Sequence, residues 1–81
     1  MKISWKELIA ECLDGDEILW STLTEEEASK KFNCGYGGCN GCHFTAWSAN
    51  YVYFPVVSDG SEWVSRVPRN PCATKTAHVG G

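Results

Sequence analysis

The sequence predicts an α+β domain in which two short N-terminal helices pack on a small antiparallel sheet of three to four strands. Near the N-terminus, apolar residues recur at the spacing of a helix. From residue 44 onward, the apolar spacing changes to two, which is the period of a strand. The chain has 81 residues, enough for one domain with one modest core. We expect residues 1–71 to form this domain and residues 72–81 to form a flexible tail.

The first helix is predicted from its cap and its apolar face. Ser4 and Glu7 have the spacing of a capping box, in which each residue bonds the backbone N–H of the other. The apolar residues that follow fall on one helical face: Trp5, Leu8, Ile9, Cys12 and Leu13. Gly15 suits the left-handed conformation that ends many helices. Residues 18–23 then read as a short strand or an extended connector.

A second capping box, formed by Thr24 and Glu27, predicts a second short helix on the surface. Glutamates open it, and two lysines close it, as the helix dipole favours. We expect the ion pairs Glu26–Lys30 and Glu27–Lys31, because residues four apart are neighbours on a helix.

Three strands rich in β-branched and aromatic residues are predicted over residues 44–48, 51–57 and 62–67. Asp59-Gly60 between the second and third strands is a strong signal for a tight hairpin turn. Pro55 has no N–H to donate, so its strand should lie at a sheet edge or be bulged there.

The aromatic residues of these strands predict an interaction surface. Alternation places Tyr51 and Tyr53 on one face and Val52, Phe54 and Val56 on the other. If the second set packs on the first helix, the tyrosines face solvent. Exposed aromatic residues beside an arginine are typical of protein-binding hot spots, and they also stack nucleic-acid bases. The candidates are Tyr51, Tyr53, Trp63 and Arg66. The alternative is that both faces are covered, one by the helices and the other by the tail.

Charge is spread unevenly along the chain, whose formal net charge is -3. Residues 1–33 carry eight carboxylates against four lysines, whereas residues 34–81 carry two carboxylates against three cationic side chains. This balance argues against a nucleic-acid binder that relies on a basic surface. The charge balance instead favours a second kind of site, in which clustered carboxylates mimic the phosphates of a nucleic acid and bind in a partner's basic nucleic-acid channel. The candidate residues are Asp14, Asp16, Glu17, Glu25 and Glu26. The alternative is that these are solvated helix ends.

The cysteines suggest a metal site. Cys34, Cys39 and Cys42 are spaced C-x4-C-x2-C, and Cys72 follows further along the chain. This spacing resembles that of plant-type ferredoxins, which implies a [2Fe–2S] cluster on these four cysteines. Of the two metal interpretations we favour zinc, with Cys72 or a histidine (His43 or His78) as the fourth ligand. The interpretation that we favour over both metals is a tight glycine-rich turn with reduced thiols that bind no metal. We therefore expect no cofactor, with zinc as the alternative.

A second resemblance covers residues 33–71. It rests on Phe-Thr-Ala-Trp at 44–47, Val-Tyr-Phe-Pro at 52–55, Asp-Gly-Ser-Glu-Trp-Val at 59–64 and Val-Pro-Arg-Asn-Pro at 67–71. The segment is similar to small accessory proteins encoded by bacteriophages and prophages. The resemblance implies a phage context, in which short acidic proteins bind and block a host nuclease or a defence complex such as a CRISPR effector. It brings no catalytic motif, and neither histidine is placed against a nucleophile, so no enzyme is predicted.

These patterns together predict a small acidic protein of phage type that inhibits or modulates a host protein or protein–nucleic-acid complex. Direct binding of nucleic acid is not expected. The alternative function is a zinc or iron–sulfur module. The N-terminus has no apolar segment of a secretory signal, and no stretch is apolar enough to span a membrane, so the expected location is the cytoplasm of a bacterial host.

Overall fold

The computed structural model describes residues 2–33 and 41–80. Its elements are β1 (Lys2–Ile3), α1 (Trp5–Leu13), β2 (Trp20–Ser21), α2 (Glu25–Ser29), β3 (Phe32–Asn33), β4 (Ala46–Trp47), β5 (Tyr51–Ser58) and β6 (Ser61–Pro68). The α+β class and the antiparallel pairing are confirmed. The single predicted sheet is not: the described residues form a two-stranded sheet, β1-β3, and a four-stranded sheet in the order β2-β4-β5-β6. Neither described helix has the length and apolar character needed to cross a membrane.

Helix α1 begins and ends as its sequence predicts. The Ser4 Oγ accepts a hydrogen bond from the Glu7 N–H at 3.3 Å, and the Glu7 carboxylate accepts one from the Ser4 N–H at 2.8 Å. Both Asp14 (φ 47°) and Gly15 (φ 84°) are left-handed. Aspartate tolerates this conformation better than most residues do. The two residues reverse the chain and direct it towards β2.

Helix α2 has the predicted capping box but ends before its lysines. Lys30 is extended, with ψ 128°, so it lies beyond the helix. The predicted pairs Glu26–Lys30 and Glu27–Lys31 are therefore wrong, because their lysines are not on the helix surface. The Lys31 Nζ instead lies 2.8 Å from the Glu7 carboxylate, which ties the segment after α2 to the start of α1.

Strands β5 and β6 form the predicted hairpin. Asp59 and Gly60 both have positive φ (52° and 80°), the pattern of a type I′ turn, whose twist matches that of the strands. Strand β4 pairs with β5 only at Val52 and Tyr53. The prediction that the strand of Pro55 lies at a sheet edge is wrong, because β5 is an inner strand of the sheet. Pro55 fits there because β4 does not extend as far as this residue, so the missing N–H costs no hydrogen bond to β4.

The small sheet β1-β3 was not predicted. Ile3 pairs with Phe32, and Lys2 pairs with Asn33, which brings the N-terminus beside the chain that follows α2. Two-residue strands are too short to show a period of two in the sequence, so alternation offers no signal for them.

The core lies between α1 and the inner face of the four-stranded sheet. Its buried members are Trp5, Leu8, Ile9, Phe44, Ala46, Tyr53 and Val64. The indole of Trp5 is 1% exposed and packs against Phe32 and Phe44, with ring centroids 4.7 and 4.9 Å away. Its Nε1 donates a hydrogen bond to the Cys42 carbonyl at 3.0 Å. One side chain thus joins α1, β3 and the segment that enters β4.

Gly41 is in direct contact with this indole. A Cβ atom at Gly41 would overlap Cζ2 of Trp5 and lie 2.7 Å from its Cε2, closer than real side chains approach. The Gly41 N–H donates to the Glu62 carboxylate at 3.0 Å, and Glu62 is buried on β6. A glycine is required here because the backbone passes directly over the ring.

The inner face of the sheet is the one that carries the tyrosines. Ala46, Tyr53 and Arg66 lie in one row across the strands. Tyr53 is 0% exposed within the core, and Tyr51 packs against the core while partly buried. The arrangement in which Val52, Phe54 and Val56 pack on α1 and both tyrosines face solvent is therefore wrong. Alternation was correctly identified, but both alternating sets are apolar, so the pattern alone does not say which set meets α1.

The C-terminal residues turn back along the hairpin. Strand β6 ends at Pro68, which pairs with Tyr51, and the Arg69 N–H donates to the Asn50 carbonyl at 2.8 Å. At the other end of β5, Gly80 lies near the Val57 carbonyl oxygen. Residues 69–80 are exposed. The flexibility predicted for the tail stays a prediction.

We expect the substitution Gly41→Ala to lower the free energy of unfolding by about 1–3 kcal/mol, the usual cost of forcing an extra group into a packed interior. In a Trp5→Phe background the smaller ring leaves room for the methyl group, so this cost should fall. Denaturant unfolding of the four variants of this cycle measures the coupling between the two sites.

Gly15→Ala is the matched control. Gly15 has a positive φ but nothing within 4 Å of its Cβ position, so its substitution strains the backbone without a clash. Its cost should be the same in both backgrounds. An equal cost of Gly41→Ala with Trp5 or Phe at position 5 would contradict the proposed contact.

Candidate protein-binding groove between the two helices

Three of the five predicted acidic residues meet at one groove. Asp16, Glu17 and Glu25 line it, whereas Asp14 and Glu26 lie outside its lining. The groove has a volume of about 560 Å³ and lies between α1, α2 and the segment from residue 15 to residue 23. It gathers three of the eight carboxylates of residues 1–33.

The floor of the groove is apolar and its rim is charged. The apolar side chains of its lining are Ile9, Ala10, Leu13, Ile18, Leu23 and Ala28, of which Ala10 is exposed. At the rim, the three carboxylates stand against one ammonium group, that of Lys6. A concave apolar surface with a few polar groups around it is the usual form of a binding site. The excess of carboxylates gives this site a negative potential.

The sequence builds this groove from the second half of α1 and the chain that follows it. Ile9 and Leu13 are one turn apart on α1, so they lie on the same side of the helix. The Asp16 N–H donates to the Leu13 carbonyl at 2.9 Å, which closes the turn after the helix. Beyond it, the Leu19 N–H donates to the Trp47 carbonyl in β4 at 2.7 Å, and the Thr22 N–H donates to the Thr45 carbonyl just before β4 at 3.0 Å, which holds the opposite wall.

Asp16 links the rim of the groove to the sheet beneath. Its Oδ2 accepts a hydrogen bond from the Tyr53 hydroxyl at 2.9 Å, and its Oδ1 accepts one from the Glu17 N–H at 2.9 Å. The Ser48 hydroxyl lowers the pKa of Asp16 most, and the Glu17 N–H, the Tyr53 hydroxyl and the Arg66 charge lower it further. Together they outweigh burial, which raises this pKa. Asp16 therefore stays ionised and fixed in position at the rim.

The Arg66 guanidinium makes its contacts with other residues of the folded domain. Its Nη1 lies 3.4 Å from the Tyr53 hydroxyl and 3.5 Å from the Cys12 carbonyl, and its guanidinium stacks 4.0 Å above the centre of the Tyr51 ring. Burial raises the pKa of Tyr53, so its hydroxyl stays protonated and donates to Asp16. Tyr53 cannot stack a nucleic-acid base, because no part of it reaches solvent.

The four residues predicted to form one aromatic surface therefore do not lie together on one exposed face. Tyr53 and Arg66 belong to the interior network, which removes Tyr53 as an exposed contact for a partner. Tyr51 and Trp63 are partly buried on opposite faces of the sheet. Their role in partner binding stays a prediction, as does that of Asp14 and Glu26.

The predicted metal ligands are only partly described. Cys34 and Cys39 lie outside the described residues, whereas Cys42 and Cys72 are exposed free thiols. Within residues 2–33 and 41–80, no three groups of metal-ligand type are close enough to hold an ion. The metal interpretation therefore stays a prediction. Cys12 lies partly buried against the core as expected, and burial raises the pKa of its thiol.

Sequence reasoning missed the residues around β2. Leu19 and Trp20 are 59% and 62% exposed, and the Trp20 ring packs against that of Trp47 at 4.9 Å. The apolar floor of the groove was missed as well, because its side chains have the pattern of ordinary core residues. One signal was present: Ile18, Leu19 and Trp20 are consecutive, and a strand with one covered face cannot bury all three.

Comparisons with models of protein families, with curated proteins and with solved structures find no match to this chain.

We expect the Asp16 carboxyl to titrate below its ordinary pKa of 3.8, as followed by NMR of its carboxyl carbon. Its contribution to the free energy of unfolding is then present above pH 3.8 and is lost as the pH falls through the lowered pKa. Tyr53→Phe removes one donor, so the pKa should rise towards its ordinary value and the loss of stability in acid should become smaller.

Tyr51→Phe is the control, because it keeps the ring beneath Arg66 and removes a hydroxyl that does not contact Asp16. It should leave the Asp16 titration unchanged. The same titration in Tyr53→Phe as in the unmodified protein would show that the hydrogen bond does not hold the charge of Asp16.

Proposed function

We propose that this chain is a small binding protein of phage type that inhibits or modulates a host protein or protein–nucleic-acid complex, such as a nuclease or a CRISPR effector. The observation that carries the proposal is the acid-rimmed apolar groove between α1 and α2. The resemblance of residues 33–71 to small phage-encoded accessory proteins supports the host context.

The groove combines the two contributions that a protein partner requires. Its apolar floor favours association by removing apolar surface of both proteins from water. Its carboxylates select a partner with basic groups and speed the encounter, because opposite charges attract over several ångströms. Since the first 33 residues carry a net charge of -4 (eight carboxylates and four lysines), the charge around the groove reinforces that of its rim.

The hydroxyl groups that line the groove favour binding over catalysis. The Ser21 Oγ accepts a hydrogen bond from the Leu23 N–H at 3.0 Å. The Thr24 Oγ1 accepts one from the Glu27 N–H at 3.1 Å. Both are occupied in shaping the backbone, and neither is paired with a general base among the groove's described residues. A nucleophile needs such a base to be activated.

The test is affinity capture of host proteins on the immobilised full-length chain, followed by measurement of the affinity of each retained protein. We expect the Glu17→Gln and Glu25→Gln substitutions each to weaken binding by a factor of about 1.4 to 5, since exposed charge pairs are worth about 0.2–1 kcal/mol. The affinity should also fall as salt is raised, because salt screens exposed charges.

Glu11→Gln is the matched control: it removes the same charge from an exposed position on α1 outside the groove. It should change the affinity less than either groove substitution does. If no host protein is retained at low salt, or if all three substitutions have equal effects, the groove is not the binding site.

A further inference from the structure

Strand β2 forms one edge of the four-stranded sheet. The strand order is β2-β4-β5-β6, and among the described residues no strand pairs with the outer side of β2. Trp20 and Ser21 pair with Trp47 and Ala46 on the inner side. The outer side of a strand carries N–H and C=O groups that accept another strand.

The two faces of this edge differ, and both offer contacts. On the face towards α1, Ser21 lies in the wall of the acid-rimmed groove. On the opposite face, Trp20 packs against Trp47 and remains 62% exposed. Alternate side chains of an extended segment placed beside β2 would therefore meet the groove on one face and the Trp20 ring on the other.

Strand β2 spans only two residues, and shortness is itself one protection against pairing, but the chain around it carries none of the side chains that block a second strand. Edge strands commonly carry lysine, proline or inward-pointing charges that block a second strand. The stretch from residue 18 to residue 24, Ile-Leu-Trp-Ser-Thr-Leu-Thr, has no charge and no proline. Leu19 and Trp20 are among the most exposed large apolar side chains of the described residues.

We propose that the outer edge of β2 binds an extended segment of the partner protein as an added strand, with basic and apolar residues alternating along it. The inference rests on the proposed function and specifies how the partner is held. Apolar side chains of the segment enter the groove or cover Trp20, and its lysines or arginines meet Asp16, Glu17 and Glu25. Strand addition of this kind takes affinity from the main chain and specificity from alternate side chains.

Charge identifies the occupant as a basic partner rather than a second copy of this chain. Two copies joined edge to edge through β2 would bring two acidic rims together, each with three carboxylates and one lysine. Like charges across an interface oppose association. A segment with lysine or arginine replaces this repulsion by attraction.

The experiment is selection of random nine-residue peptides displayed on a surface against the immobilised full-length chain. We expect the enriched peptides to alternate lysine or arginine with apolar residues. A labelled peptide of this type, bound to the protein, should show the NMR chemical shifts of a β-strand and contacts to Ser21. Trp20→Ala should weaken its binding at least about tenfold, as expected for an aromatic hot spot.

Val79→Ala is the matched control, because Val79 is 48% exposed and lies in the tail. It should leave the peptide affinity unchanged. The inference is overturned by any of four results: no enrichment, enrichment of acidic peptides, a bound peptide that is helical or lies elsewhere, or self-association of the unmodified protein that Trp20→Ala abolishes.

Binding of the host protein by the Glu17→Gln and Trp20→Ala variants distinguishes failure of this inference from failure of the proposed function. If Glu17→Gln weakens retention of the host protein and Trp20→Ala does not, the groove binds the partner but β2 does not accept a strand. If neither substitution changes the affinity for the retained host protein, the partner binds elsewhere, and the inference fails together with the groove as the binding site. If no host protein is retained at all, the proposed function fails whichever peptides are enriched.

Discussion

The contact between the Trp5 indole and the backbone at Gly41 is the constraint on which the described fold depends. The ring fills the space between α1, β3 and the chain entering β4, and its Nε1 holds the Cys42 carbonyl. Only a residue without a Cβ lets the backbone pass over this ring. The capping box at Ser4, directly before Trp5, fixes the start of the helix and so the direction from which the ring enters the core.

Trp5 fixes the position of α1, so that one side of the helix packs on the sheet and the other side lines the groove. Trp5 and Leu8 are buried against the sheet and Ala10 lines the groove, whereas Ile9 and Leu13 contribute to both. The groove is therefore a continuation of the core that α2 only partly covers, because α2 spans five residues. Asp16 joins the rim to the interior through Tyr53, so the charge most central to the proposed binding site is also part of the folded network.

The helix caps and the hairpin turn could be predicted from the sequence. Which of two apolar strand faces packs on α1 could not. Both capping boxes and the Asp59-Gly60 turn depend on neighbouring residues, and all three are formed. The face of Tyr53 depends on which of two apolar sets meets α1, and a period of two does not distinguish them. The acids of the site were predicted from composition, but the groove floor was not, because its apolar residues look the same in sequence whether they are covered or open.

The central claim is that a partner binds at the groove and the adjoining β2 edge rather than on the hairpin. Hydrogen–deuterium exchange of the full-length chain, with and without a host protein that it retains, tests this claim most directly. We predict slower exchange over residues 17–28 in the complex and unchanged exchange in β5 and β6. Slower exchange confined to the hairpin, with no change over residues 17–28, would contradict the claim.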